Sequence, residues 1–531
     1  MKLYKVMLLA LASTALLTSC EDELDIAKKG NFGGEDTFYK TDEDAEQAVT
    51  AVYASWNSNG SNLIYTLENL SDDVWAGGGN RGDSPEAQNL NEYKFGTDNA
   101  NVESLFSGLY ELIYRANLVI ERVEADTPVR KRCIAEAYFF RGYANFYLGA
   151  LFGTAPLVDH LLAPNEYSQS NSEEGQLLEQ AAADLKTAID MDMFPSKQSV
   201  NDAITSVRIT RECAYAYYGK VLLYQKKDVE AAQAFDKVIS SGLYALYQGD
   251  YGDLLKNPGE FCCESVLENN QVDDPNTQWS FMSYVHEWRG WRQDGLQWSA
   301  LNPVYSNVSK GYGFLNPRKQ LYDAFKAHAQ AGGGNTYRLD KSIVDLDFIT
   351  KEMNLSIAMT NHGNEGFWSW KTRGTNDEII TEMGGWNVLT SQNWRFMRYA
   401  DVLLMAAEAN LSTNNAKSLA YVNEVRNRAR LNPLASVSLD DIKLERRFEL
   451  CFEGVRFMDL VRWGDAPAAL GNQGKEVMCL NTDGTVTVEY SNRNYGFKAG
   501  KHERLPIPAK EILLNSSIKQ NPGWASGESE E

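Results

Sequence analysis

Four tryptophans, Trp279, Trp288, Trp291 and Trp298, fall within twenty residues of a 531-residue chain that holds only twelve. Tyr284 and Tyr305 lie close by, and Arg289, Arg292, Gln293, Asp294 and Gln297 are interleaved with them. A flat aromatic face can cover the C–H face of a sugar ring, while amides, carboxylates and guanidiniums bond its hydroxyls. That chemistry is adhesive and makes or breaks no bond. The competing explanation is that these rings fill a core beneath a long loop. So many polar neighbours are hard to bury, which favours an exposed platform for the cluster as a whole.

A second candidate is the run from Asp72 to Asp83, Asp-Asp-Val-Trp-Ala-Gly-Gly-Gly-Asn-Arg-Gly-Asp. Its glycines let a ligand approach the backbone, Trp75 can stack, and Asn80 and Arg81 can bond hydroxyls. A solvated turn would have the same composition. Gly77-x-Gly79-x-x-Gly82 formally matches a dinucleotide fingerprint, but the sequence shows no buried strand before it, and Ser84-Pro85, not Gly82, opens the next element. Other reactive patterns are missing. There is no HExxH, GxSxG or P-loop, and the five histidines, His160, His286, His328, His362 and His502, are widely separated. Glycoside hydrolysis needs only two carboxylates, and 72 acidic residues offer no way to single them out. The reading therefore assigns no catalytic residue, no cofactor and no metal.

The elements that must hold such a surface are mostly helices. Thr41-Asp42-Glu43-Asp44 forms a cap before Ala45, Ala48, Val49, Val52 and Trp56, which recur at helical spacing. Similar patterns occupy 101–124, 130–150, 173–190, 210–226, 229–241, 393–411, 416–430 and 439–463. One pair fits a tetratricopeptide template, with Gly219 as the small residue of the first helix, Tyr215, Tyr218 and Leu222 as its large ones, and Ala231 and Phe235 on the second. From 243 to 392 the texture changes to interleaved Gly, Asn, Asp, Pro and aromatics, with helical periodicity only over 316–330. The expected fold is mostly α: a tetratricopeptide-like scaffold over about 40–242 and 393–531, carrying a loop-rich, short-strand insertion of a size more often functional than idle, all in one integrated unit from residue 20.

Charge narrows the partners. With 51 Lys+Arg against 72 Asp+Glu, the formal charge is −21, and no concentrated basic stripe offsets it, so nucleic acid is excluded as a ligand. Lys2 and Lys5, an apolar run from Val6 to Leu17 and small residues before Cys20 have the layout of a secretory signal peptide over residues 1–19. Leu17-Thr18-Ser19-Cys20 resembles a bacterial lipobox, which makes Cys20 the expected site of lipid attachment. Glu21-Asp22-Glu23 resembles the acidic signal that sends such lipoproteins to the outer face of the outer membrane. The six later cysteines offer no compact disulfide framework.

From Glu445 the chain reads Glu-Arg-Arg-Phe-Glu-Leu-Cys-Phe-Glu-Gly-Val-Arg-Phe-Met-Asp-Leu-Val-Arg-Trp-Gly. Glu453 with Arg456, and Asp459 with Arg462, stand three apart, where opposite charges on one helix can meet; such a lattice anchors a helix. This stretch closely resembles the C-terminal signature of the SusD/RagB family of nutrient-binding outer-membrane lipoproteins. Arg398–Ala409, Val425–Arg430, Leu505-Pro506-Ile507-Pro508 and Gln520–Trp524 agree with it. The resemblance implies a lipid-anchored protein that captures oligosaccharides, without cleaving them, over a SusC-like TonB-dependent transporter. A binder of peptide or another nutrient in the same kind of complex is the other reading. The matching motifs lie in the scaffold, so they transfer no binding residue.

Overall fold

The computed structural model describes residues 38–271, 288–379, 390–492 and 494–524. Cys20, Trp279, Tyr284 and His286 lie outside them. The chain is mostly helical. Thr41 accepts from the Asp44 amide while the Asp44 carboxylate accepts from the Thr41 amide, and this reciprocal cap starts a 28-residue helix, Asp42–Asn69. Its apolar stripe packs against helices Ala100–Arg122 and Pro128–Phe152. The run continues through Gln176–Asp190, Arg211–Tyr224 and Asp228–Ile239, each element packed on its predecessor. Helix Asp228–Ile239 then packs on Tyr399–Asn410, so the helical stack resumes directly across the intervening 150 or so residues. Asn415–Arg428 and Leu439–Glu449 complete it. None of the described helices is long and apolar enough to cross a membrane.

The tetratricopeptide-like pair is formed as its spacing implies. A Cβ at Gly219 would lie 2.7 Å from the Phe235 ring, so only glycine lets the two helices approach this closely. Leu222, Ala231 and Phe235 are buried between them. The insertion holds short two-stranded sheets over two smaller apolar clusters, one under Leu321 and Phe325 and one around Trp291, Ile349 and Trp368.

Two helix expectations need correction. Residues 395–398 form a strand paired antiparallel with Ser265–Glu268, not the start of a helix. The stretch 439–463 is two helices, Leu439–Glu449 and Arg456–Trp463, because Phe452 (φ 66°) and Gly454 (φ 76°) turn the backbone left-handed between them. The break redirects the charges. Asp459 does meet Arg462 at 2.8 Å, but Glu453 pairs with Arg398 and Lys371, and Arg456 pairs with Asp72.

These pairs form a buried ionic core between scaffold and insertion. Arg338 bonds Glu445 at 2.7 Å and Glu449 at 2.9 Å; Arg398 reaches Glu449, Glu453 and Glu264; Arg428 reaches Glu264 at 2.9 Å and also Glu449. Glu264, Arg338 and Lys371 come from the insertion and the others from the scaffold, so charge pairing fixes how one sits on the other. Burial alone would raise the Glu449 carboxyl, but Arg428, Arg398, Arg338 and Lys371 outweigh it and hold it at about 2. Glu445 is likewise held at about 2 against burial, chiefly by Arg338, His328 and Arg426.

Burial prevails elsewhere, raising Glu68 and Glu260 to about 7. The two groups of carboxyls act in opposite directions. Glu445 and Glu449 contribute stability above their unfolded value of 4.5 and lose it as pH falls towards 2. Glu68 and Glu260 hold their protons more tightly when folded, so their contribution is full below 4.5 and lost as pH rises through 7. The melting temperature measured from pH 3 to 7 is therefore expected to peak near pH 5, and a steady rise to pH 7 would contradict this balance.

Candidate functional site

The glycine-rich run and the tryptophan-rich run, more than 200 residues apart, meet at one cleft. Strand Val74–Gly77 pairs antiparallel with Phe314–Pro317, and Trp291–Arg292 pairs in parallel with Lys310–Gly311. The Gly78 amide donates to the Gly313 carbonyl at 2.8 Å and the Gly313 amide to the Gly290 carbonyl at 2.9 Å. Segment 310–317 is thus the splice that brings the other two together. Gly77 and Gly78 have φ of 79° and 92°, and a Cβ at Gly77 would run into the Gly313 carbonyl oxygen, so this close approach needs glycine.

The root of the glycine-rich run is fixed by the signature helices: Arg447 bonds Asp73 at 2.6 Å and Asp72 at 3.1 Å, and Arg456 bonds Asp72 at 2.7 Å. The family-like motif therefore shapes the cleft without lining it. The strand at 74–77 also corrects the view that no buried strand precedes the glycines, but it belongs to an antiparallel pair and does not feed a helix at Gly82.

The cleft encloses about 570 Å³. Tyr65, Trp288, Tyr312 and Phe314 supply its aromatic surface, and Asn62, Asn101, Asp83, Ser84, Arg292, Gln293 and Asp294 its polar groups. Trp288 is half-buried and lies on the Tyr65 ring, centroids 4.4 Å apart and planes 30° apart, so the long first helix backs the indole from beneath. Asn99 caps helix Ala100–Arg122 and thereby sets Asn101 at the rim. Arg292 is pinned between Asp294 at 2.7 Å and Asp83 at 3.4 Å, and it also donates to the Tyr312 carbonyl at 3.3 Å. Asp83 in turn accepts from the Asn80 amide at 2.8 Å. The result is a backed aromatic platform with a pre-set polar rim, suited to a ring with one apolar face and hydroxyl edges.

The expected residues divide accordingly. Trp288 lines the cleft. Trp291 does not: it is 2% exposed, donates to the Ser369 carbonyl at 3.2 Å and packs on Trp368 and Trp370. Trp75 is 4% exposed, sandwiched by the Arg318 guanidinium 3.5 Å from its ring centre and bonded to Glu365. Both are corrected from ligand-facing to structural rings, because each indole is covered by side chains from distant segments. Trp298 is half-buried outside the cleft lining, its indole bonded to the Arg292 carbonyl. Arg81 is a strut: it pairs with the buried Glu92 and lies 4.2 Å over the Tyr490 ring. Asn80 organises the turn through Asp83 and Gly82 and is exposed at its tip. Trp279 and Tyr284 belong to 272–287, outside the described residues.

Sequence reasoning missed Asn62, Tyr65, Asn101, Tyr312 and Phe314. Only Gly311-Tyr312-Gly313-Phe314 carried a signal, aromatics alternating with glycine as a chain needs to pass close to another. Asn62 and Tyr65 lie inside a long helix and have no distinguishing pattern.

Comparison with known proteins agrees with this architecture. The profile of the SusD family matches residues 243–524, and one described as starch-binding, associating with the outer membrane, matches 34–223. SusD-like protein P2 of Formosa agariphila is 27% identical over 99% of this chain and 100% of its own length. A SusD-like protein of Bacteroides ovatus is 27% identical over 86% of this chain and 82% of its own. Among solved structures, a laminarin-binding SusD-like protein superposes with a TM-score of 0.77 at 28% identity, covering 91% of this chain and 100% of that one. Surface glycan-binding protein A of Bacteroides thetaiotaomicron, solved with laminarihexaose, has a TM-score of 0.72 at 23% identity, covering 91% and 100%, and attests to the fold alone. With helical scaffold, buried signature and a cleft between scaffold and insertion in place, and a family profile spanning more than half its length, the chain belongs to the SusD family.

Proposed function

We propose that this protein is a cell-surface lipoprotein that captures oligosaccharides or polysaccharides in the 570 Å³ cleft and presents them, uncleaved, to a SusC-like TonB-dependent transporter for import. The observation that carries the reading is the Trp288 indole backed by Tyr65 inside a rim of amides, carboxylates and one guanidinium. A sugar ring laid on that indole places its equatorial hydroxyls within the rim. The similar laminarin-binding structure supports a glycan as ligand, and the lipobox at Leu17–Cys20 supports anchoring through Cys20. The transporter partnership is the family's expected setting. Capture without chemistry needs no paired acid and base, and the cleft's two carboxylates, Asp83 and Asp294, are both engaged by Arg292.

Electrophoresis through gels containing laminarin, xylan or mannan, with analysis of the sugars released, tests the reading. Retarded migration without products is the expected result. Release of shorter sugars, or affinity for peptides alone, would overturn it.

A further inference from the structure

We infer that the cleft selects neutral glycans against those bearing carboxylate or sulfate groups, a step that rests on the glycan reading above. The charged groups lining it are Asp83, Arg292 and Asp294, which sum to −1, and the single cation is held by both acids. The cations adjacent in sequence stand outside the cleft lining. Arg81 faces Glu92, Arg289 is buried over the Trp394 ring and donates to the Phe452 carbonyl, and Lys310 holds its ammonium 5.6 Å over Trp298. Two of the stretches outside the described residues, 272–287 and 380–389, contain Asp273, Asp274, Glu287 and Glu382 and neither Lys nor Arg.

An acidic sugar would therefore enter a net-negative cleft on a chain of charge −21, where the guanidinium among the described lining residues, Arg292, is already paired. The donors that remain are neutral ones. The Asn101 amide nitrogen is buried with no partner among the described residues, and Ser84 and Gln293 also line the cleft. These suit hydroxyls and ring oxygens. Asp83 and Asp294 are thus specificity-determining as well as positioning: they hold Arg292 and cancel it.

The test compares laminarin, xylan and mannan with their carboxymethylated forms, by calorimetric titration of the full chain at low and at physiological salt. At least one neutral polymer is expected to bind about tenfold or more tightly than its carboxymethylated form at low salt, with the gap narrowing as salt screens the repulsion. Asp294→Asn, which takes the lining sum from −1 to 0 and leaves Arg292 facing Asp83 alone, is expected to reduce that ratio several-fold. Equal affinity for neutral and carboxymethylated polymer, or a ratio unmoved by both salt and Asp294→Asn, would overturn the selectivity while leaving glycan capture intact. Binding to none of the six polymers would overturn the capture reading and this inference with it.

Discussion

Glu449→Gln is expected to cost about 3–5 kcal/mol of folding stability, the loss usual when one member of a buried ion pair is removed. The Glu449 side chain accepts from Arg338, Arg398 and Arg428, and its backbone carbonyl accepts from Lys371 at 2.8 Å and Tyr251 at 2.8 Å. Glutamine keeps the shape but withdraws the charge, and three guanidiniums, each nearly inaccessible to water, lose a shared counter-ion. Water cannot reach them to compensate. Typical domains are stable by only about 5–15 kcal/mol, so the change removes a large share of the total. Urea titration followed by circular dichroism should show a markedly lower midpoint. Glu111→Gln is the control: Glu111 pairs with Arg115 at 2.8 Å on an exposed helix face, where such a pair contributes less than about 1 kcal/mol. Equal midpoints for the two variants would show that the ionic core does not hold the insertion on the scaffold.

Trp291→Ala should destabilise by a similar amount, about 3–5 kcal/mol, through the cavity it leaves against Trp368 and Trp370 and the unpaired Ser369 carbonyl. Its neighbour in sequence behaves differently. Trp288 is only partly buried, against Tyr65 and the apolar cluster around it, so truncating it removes less packing. Thermal melts of the two variants separate these roles: a large fall in melting temperature for Trp291→Ala and a small one for Trp288→Ala. Similar melting temperatures would mean that the burial difference between these two rings carries no energetic weight.

What could be read in advance follows from the range of the interactions involved. Helices such as Asp42–Asn69 and Arg211–Tyr224 declare themselves through spacing and caps, which are local. The Gly219–Phe235 approach was legible because a repeat template encodes a tertiary contact in a short stretch. The turn at Phe452-Glu453-Gly454 was not, since Glu453 leaves the helix to satisfy Arg398, 55 positions earlier in sequence. Ring exposure has the same limit. Trp288 and Trp291 sit in similar local sequence, and only segments from elsewhere, Tyr65 beneath one and Trp368 and Trp370 against the other, decide which faces the cleft. The choice of Trp75 failed likewise, because Arg318 and Glu365 cover it.

The ionic core also explains how a family signature that does not line the cleft shapes it. Arg447 and Arg456 hold Asp72 and Asp73, the segment from there leads to Asp83 in the cleft lining, and Asp83 meets Arg292 across it. Scaffold charge thereby sets cleft geometry through a continuous chain of contacts.

Calorimetric titration of the retained polysaccharide into the native protein and into Trp288→Ala tests the central claim most directly. An affinity loss of about tenfold or more in the variant, with its melting temperature nearly unchanged, is the predicted result. Undiminished affinity in a folded Trp288→Ala protein would contradict it and move the glycan to another surface.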